Sequence, residues 1–150
     1  MPEPRTVLAV DFGLRRIGIA VGDTLTGRAR PLGAVLVPAD RAPGETEIVA
    51  IMQLAADRGA ALLVVGCPYN ADGSVGHLTA QARAFADALG ARARLETHLV
   101  DERYSSLEAQ ERLRDARQRA RRRRRVAAAD IDSMAAAVIL ERWLAGEGER

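Results

Sequence analysis

The sequence predicts an α/β protein built on one mixed five-stranded sheet, an antiparallel β-meander followed by parallel strands, flanked by helices. Three observations predict it. Three apolar runs of strand length come first, residues 5–11, 17–23 and 29–37, with connections too short for a crossover helix. Two more runs, 60–66 and 93–102, alternate with stretches of helical periodicity. The composition is 48% apolar but only 3% aromatic over 150 residues, enough for a real core, which must be built from Ala, Val, Leu and Ile.

The elements follow in order. "RTVLAVD" and "IGIAVGD" are separated only by "FGLRR", which makes them a hairpin, and "ARPLGAVLV" adds the third meander strand. "PADRAPG" is a loop. "ETEIVAIMQLAADRG" carries Ile48, Ile51, Met52 and Ala55 at helical spacing, with Gly59 as the stop. "AALLVVG" is an unbroken apolar run, the pattern of a strand covered on both faces. A helix over 77–90 ends at Gly90, and "ARLETHLVDE" is the last strand. "SSLEAQERLRDA" opens a helix, with Ser105 three residues before Glu108 as in a capping box. A final helix spans about Ala128 to Leu144. No repeat and no linker divides residues 1–150, which read as a single domain. The order places the first strand centrally and helices on both faces.

The net charge is +2, and all 22 basic residues are Arg. Their distribution is uneven. Residues 112–125 hold nine Arg and one Asp, a net +8, which leaves −6 on the rest of the chain. An acidic body with one basic segment points to a polyanion partner. The scarcity of aromatics argues against base stacking as the main binding mode. The single cysteine, Cys67, excludes a disulfide framework. The opening "MPEPR" is unlike a signal peptide, and the longest apolar run falls far short of the roughly 20 residues that span a bilayer. The expected location is cytoplasmic.

Three carboxylates fall at element ends: Asp11 after the first strand, Glu102 after the last strand, Asp132 at the start of the last helix. The central strand and its parallel neighbours bring their C-terminal ends to one sheet edge, where α/β sheets bind ligands. Asp132 shares a helix face with Ala136, Ile139 and Trp143, an expensive place for an acid unless it is paired or metal-bound. Asp130 shares a face with Glu141 instead, and Asp101 alternates away from Glu102 along the strand. Singly, a turn residue and a helix cap account for Asp11 and Asp132 equally well. Together, three converging carboxylates are an oxygen-donor set for hard cations such as Mg²⁺ or Mn²⁺. A pair of such ions about 3.5–4 Å apart suits in-line phosphodiester hydrolysis, one activating water and the other stabilising the leaving oxygen.

Four motifs now in view carry a family resemblance. "VDFGLRRIGIAVGD" resembles the opening of the YqgF or RuvX family of Holliday junction resolvases. "VVGCPYNADGSVG" with Arg83 and Phe85, "DERYSSLEA" and "IDSMAAAVILERWL" resemble its later motifs, in the family's order and over nearly the whole chain. Cys67 and Tyr69 stand where aliphatic residues are usual, and the Arg run is longer and denser than the family's basic stretch. The resemblance implies an RNase H-like fold and a metal-dependent nuclease that matures the 5′ end of pre-16S rRNA or resolves DNA junctions. It also implies that Asp11, Glu102 and Asp132 are the acidic residues of the centre.

The remaining candidates are expected to contact nucleic acid. The loop "PYNADGSVGH" leaves the same sheet edge as Asp11, so Asn70, Asp72 and Gly73 are candidates for phosphate or ribose contact, with a tight turn as the plainer reading. Arg15 and Arg16 in the first hairpin turn, Arg83, Arg103, Arg119 and Arg121, Arg122, Arg123, Arg124 and Arg125 complete the expected interface with structured RNA or branched DNA, with a solvated turn as the plainer reading of Arg15 and Arg16 and a solvated linker as that of the Arg run. Like charges in succession repel, so residues 112–125 are expected to form a mobile loop ordered by nucleic acid. His77 and His98 have no ligand-like spacing. Two rivals stand beside the nuclease. An ATP-binding protein of the actin–Hsp70–sugar-kinase fold needs a second lobe and a second Gly-rich loop, which 150 residues do not hold. A non-catalytic RNA-binding factor of ribosome assembly would have no need for the acids to converge.

Overall fold

The computed structural model describes residues 3–68, 74–101, 115, 118, 119 and 128–146. Three strands, β1 (Thr6–Asp11), β2 (Arg16–Asp23) and β3 (Ala29–Leu36), come first. They are followed by α1 (Glu45–Arg58), β4 (Ala60–Cys67), α2 (His77–Ala93), β5 (Glu96–Asp101) and α3 (Ala128–Leu144). The five strands form one sheet in the order β3-β2-β1-β4-β5. β1–β2 and β2–β3 are antiparallel; β1–β4 and β4–β5 are parallel. The predicted mixed sheet with a central first strand is therefore the observed one.

Strand alternation divides the core in two. Leu8, Val10 and Phe12 of the first hairpin, with Ile17, Ile19 and Val21 opposite them, pack beneath α1 and α2 against Ile51, Phe85 and Leu89. Val7, Ala9, Ala20, Leu62, Val64 and Val100 face the other way, beneath Ala136, Ile139, Leu140 and Trp143 of α3. The apolar run of β4 is thus covered on both faces.

Two boundaries differ from expectation. α2 runs past Gly90 to Ala93 and is capped by Arg94 in the left-handed region at φ 56°. Gly90 is no stop signal; a Cβ there would stand 2.4 Å from Oγ1 of Thr97, so the missing side chain admits β5 to close packing. β5 consequently starts at Glu96 rather than at residue 93. In β3 the register shifts opposite Ile19 and Ala20, beside Gly33 at φ 111°. This bulge and Pro31 are tolerated because β3 is an edge strand.

The expected loop over 112–125 is corrected where it can be seen: Gln118 and Arg119, like Asp115, are helical. Asp115 and Arg119 are four apart, a spacing at which opposite charges support a helix. The rest of that segment, and the predicted cap at Ser105, lie outside the described residues.

Candidate active site

The site is built at the C-terminal edge of the central strand. Asp11 is the last residue of β1, paired with Gly18 on one side and Gly66 on the other. By alternation it follows Val7 and Ala9 onto the face covered by α3. Gly18 then decides where α3 sits. A Cβ on Gly18 would lie 2.1 Å from the carbonyl oxygen of Asp132 and 2.5 Å from its carbonyl carbon. The backbone of α3 at Asp132 therefore rests on bare strand directly across the ladder from Asp11.

Arg16 completes this corner. It is the first residue of β2, not a turn residue as expected, and it lies on the α3 face by the same alternation as Gly18 and Ala20. Its Nε donates to Oδ2 of Asp132 at 2.7 Å. The predicted cost of an acid on an apolar helix face is thus met by a guanidinium, while Ala136, Ile139 and Trp143 of that face are buried. Asp132 is 29% exposed and Arg16 45%, so the pair is reachable from solvent.

At the end of β5, Asp101 is opposite Cys67. Val100 belongs to the α3 face, so Asp101 points to the other side of the sheet from Asp11. Glu102 lies outside the described residues. Among the described residues no three His, Cys, Asp or Glu side chains cluster as a metal-ligating group; two carboxylates, Asp11 and Asp132, come to the one corner. Both are hard oxygen donors, the donor type that a hard divalent cation takes, and the second carboxylate oxygen of Asp132 is not the one that Arg16 holds.

The other candidates are dispersed. Arg15 is exposed in the β1–β2 turn, its guanidinium donating to the Leu14 carbonyl at 3.3 Å. Arg83 is exposed on α2, across the sheet from α3. Arg119 lines a groove beside α3 with Asp115, Met134 and Glu141, along the helix flank rather than at the acidic corner. Asn70, Asp72, Gly73, Arg103 and Arg121 to Arg125 lie outside the described residues. The loop's return into α2 is tied down by Thr79, which is buried; its hydroxyl donates to the Pro68 carbonyl and accepts from the Gly76 N–H. Sequence reasoning missed Gly18 and the Arg16–Asp132 pair. A glycine inside an apolar strand was the available signal, since such a position often marks close backbone approach.

A family model described as "RuvX: Holliday junction resolvase" matches residues 5–146. A relative named "Putative pre-16S rRNA nuclease" from Edwardsiella ictaluri is 42% identical over 142 residues, covering 94% of this chain and 95% of its own. One of the same name from Bordetella pertussis is 42% identical over 144 residues, covering 96% of each. Among solved structures, T. thermophilus RuvC in complex with a Holliday junction substrate superposes with a TM-score of 0.57 at 12% identity, over 95% of this chain and 94% of that one. At that identity the likeness is one of fold, and the fold is RNase H-like.

Proposed function

The chain belongs to the RuvX family of Holliday junction resolvases and is a nuclease acting on nucleic acid, and from that premise we propose that Asp11, Glu102 and Asp132 form its acidic centre and that precursor 16S rRNA is its substrate. The observation that carries this reading is the seat of Asp132 on Gly18, directly across the ladder from Asp11. Period-two alternation adds Glu102 to the proposal, because Asp101 takes the opposite face from Val100.

The family is dependent on divalent metal; two Mg²⁺ or Mn²⁺ ions held by the three acids are the specific proposal. When bound, such ions stabilise the charge that develops on phosphate oxygens and bring water to a reactive pKa. The chain's own part is positional. The rigid central strand fixes Asp11, the glycine seat fixes the backbone of Asp132, and Arg16 orients its carboxylate. Arg121 to Arg125 and Arg119 attract backbone phosphates and contribute no base readout.

The names of the relatives support precursor rRNA as the substrate, and the description of the family supports a four-way DNA junction as the alternative. No helix among the described residues is long and apolar enough to cross a membrane; a cytoplasmic location is part of this proposal, as the compartment in which a precursor rRNA substrate would be met. The deciding experiment presents 5′-extended 16S precursor fragments and a four-way DNA junction side by side, with Mg²⁺, Mn²⁺ or EDTA, to wild type and Asp11→Asn. Cleavage of the precursor by wild type alone, abolished in EDTA, is the expected result, with substrate binding by Asp11→Asn retained. Preferential cutting of the junction would replace the substrate assignment. Undiminished cleavage by Asp11→Asn would overturn the acidic centre.

A further inference from the structure

At the end of β1 opposite Asp11, a cavity of about 480 Å³ opens among Thr6, the end of β2, the start of β3 and the last turn of α1. Arg28, Arg30 and Arg58 line it together. All three are exposed, and among the described residues none of them forms an ion pair. The carboxylate in the described lining is Asp23. Its Oδ1 accepts from the backbone N–H groups of Leu25 at 2.9 Å and Thr26 at 2.8 Å, and its Oδ2 from the Thr26 hydroxyl at 3.2 Å. Asp23 is therefore engaged in shaping the β2–β3 turn rather than in pairing an arginine.

The described lining thus carries three positive charges against one negative, on a body that is net acidic outside residues 112–125. Like charges gathered in one cleft focus a positive potential there. Guanidinium forks match the oxygens of a phosphate bidentately, a geometry that a hydrated inorganic counter-ion does not use. Along β1 the cavity is five residue steps from Asp11, about 17 Å at the strand rise, so an anion held here is remote from the acidic corner.

We propose that the cavity lined by Arg28, Arg30 and Arg58 is a phosphate-binding site distinct from the acidic edge. The phosphate belongs either to the backbone of a bound polynucleotide or to a free mononucleotide, and the test separates these sources. It is carried out in EDTA, so that no cleavage intervenes. Arg28→Gln, Arg30→Gln and Arg58→Gln are combined, with the single variants prepared in case the triple variant melts early.

In the first arm, a short RNA duplex is bound over a salt series. If the site grips the backbone, the slope of log K against log salt becomes shallower by about 2.7 in the triple variant, at roughly 0.9 per contact. This amounts to about 40-fold less loss of affinity on going from about 50 to about 200 mM salt. In the second arm, inorganic phosphate and AMP are titrated while arginine Nε–Hε resonances are followed. Saturable shifts confined to these three arginines, with duplex binding unchanged, would identify the small phosphate as the source. Paired Arg92→Gln and Arg94→Gln substitutions control for net charge. The proposal is overturned if they flatten the slope equally per charge removed, or if neither arm responds to the triple variant. Neither arm reads cleavage, and the variants lie about 17 Å from Asp11, so this inference and the acidic centre fail or stand separately.

Discussion

Glu47 is a carboxylate kept ionised inside the protein. It is 1% exposed, and its oxygens accept from the Arg41 guanidinium at 2.7 and 2.8 Å and from the Gly44 N–H at 2.8 Å. The Arg41 hydrogen bonds hold its pKa at about 2, below the ordinary 4.5. A group whose folded pKa is depressed contributes stability above its unfolded pKa and loses it as pH falls through the folded one. Glu47 should therefore stabilise the protein fully above about pH 4.5 and progressively less toward pH 2. Glu47→Gln should cost about 2–3 kcal/mol at neutral pH, because the amide keeps one acceptor oxygen but loses the charge and turns an N–H donor toward the Arg41 guanidinium. It should also flatten the acid limb of the stability curve; urea melts across that range measure both effects. At the proposed acidic centre, Asp132→Asn should reduce cleavage far more than Asp130→Asn, because Asp132 is seated on Gly18 and held by Arg16. Equal losses in single-turnover assays would refute that placement.

At the scale of elements, two glycines let neighbours touch, and they differ in what opposes them. Opposite Gly90 stands a hydroxyl, Thr97 Oγ1, which can rotate. Opposite Gly18 stands the backbone of α3, which cannot move without moving the helix. Gly18→Ala should therefore lift α3 at Asp132, costing about 1–3 kcal/mol as overpacking does. It should also lower cleavage by much more than a purely thermal loss explains. Melting temperature and single-turnover cleavage, measured together well below the melt, separate the two effects. Activity at the wild-type level in folded Gly18→Ala would remove the glycine seat from the mechanism.

At the scale of the molecule, charge is segregated. Nine arginines in residues 112–125 face an otherwise acidic chain, so long-range attraction of a polyanion should come chiefly from them. If four of Arg121 to Arg125 contact duplex phosphates, they contribute a slope of about −3.6 to log K against log salt. Replacing all five with Gln should weaken binding at low salt, similarly across sequences. Single-turnover cleavage at saturating enzyme should survive. A salt titration checks the first claim and the cleavage assay the second; an unchanged slope would make the run a solvated linker.

The strands, α1 and α3 were legible in sequence because their signals are local: alternation, helical spacing and turn residues act over a few neighbours. Asp11 was legible for the same reason, as an acid where an apolar strand stops. The end of α2 was not, because Gly90 serves a contact with β5 that local propensity does not encode. Arg16 and Asp132 are 116 residues apart, and Arg58 reaches the cavity of Arg28 and Arg30 only through the crossing of α1 over the sheet. Such meetings depend on register and on where helices rest, and a one-residue slip in a strand would turn every side chain to the opposite face. The sequence by itself determined the order of elements, the central strand and the segregation of charge. Only the tertiary structure decided which acid and which arginines share a corner, because long-range packing, and not periodicity, brings them together.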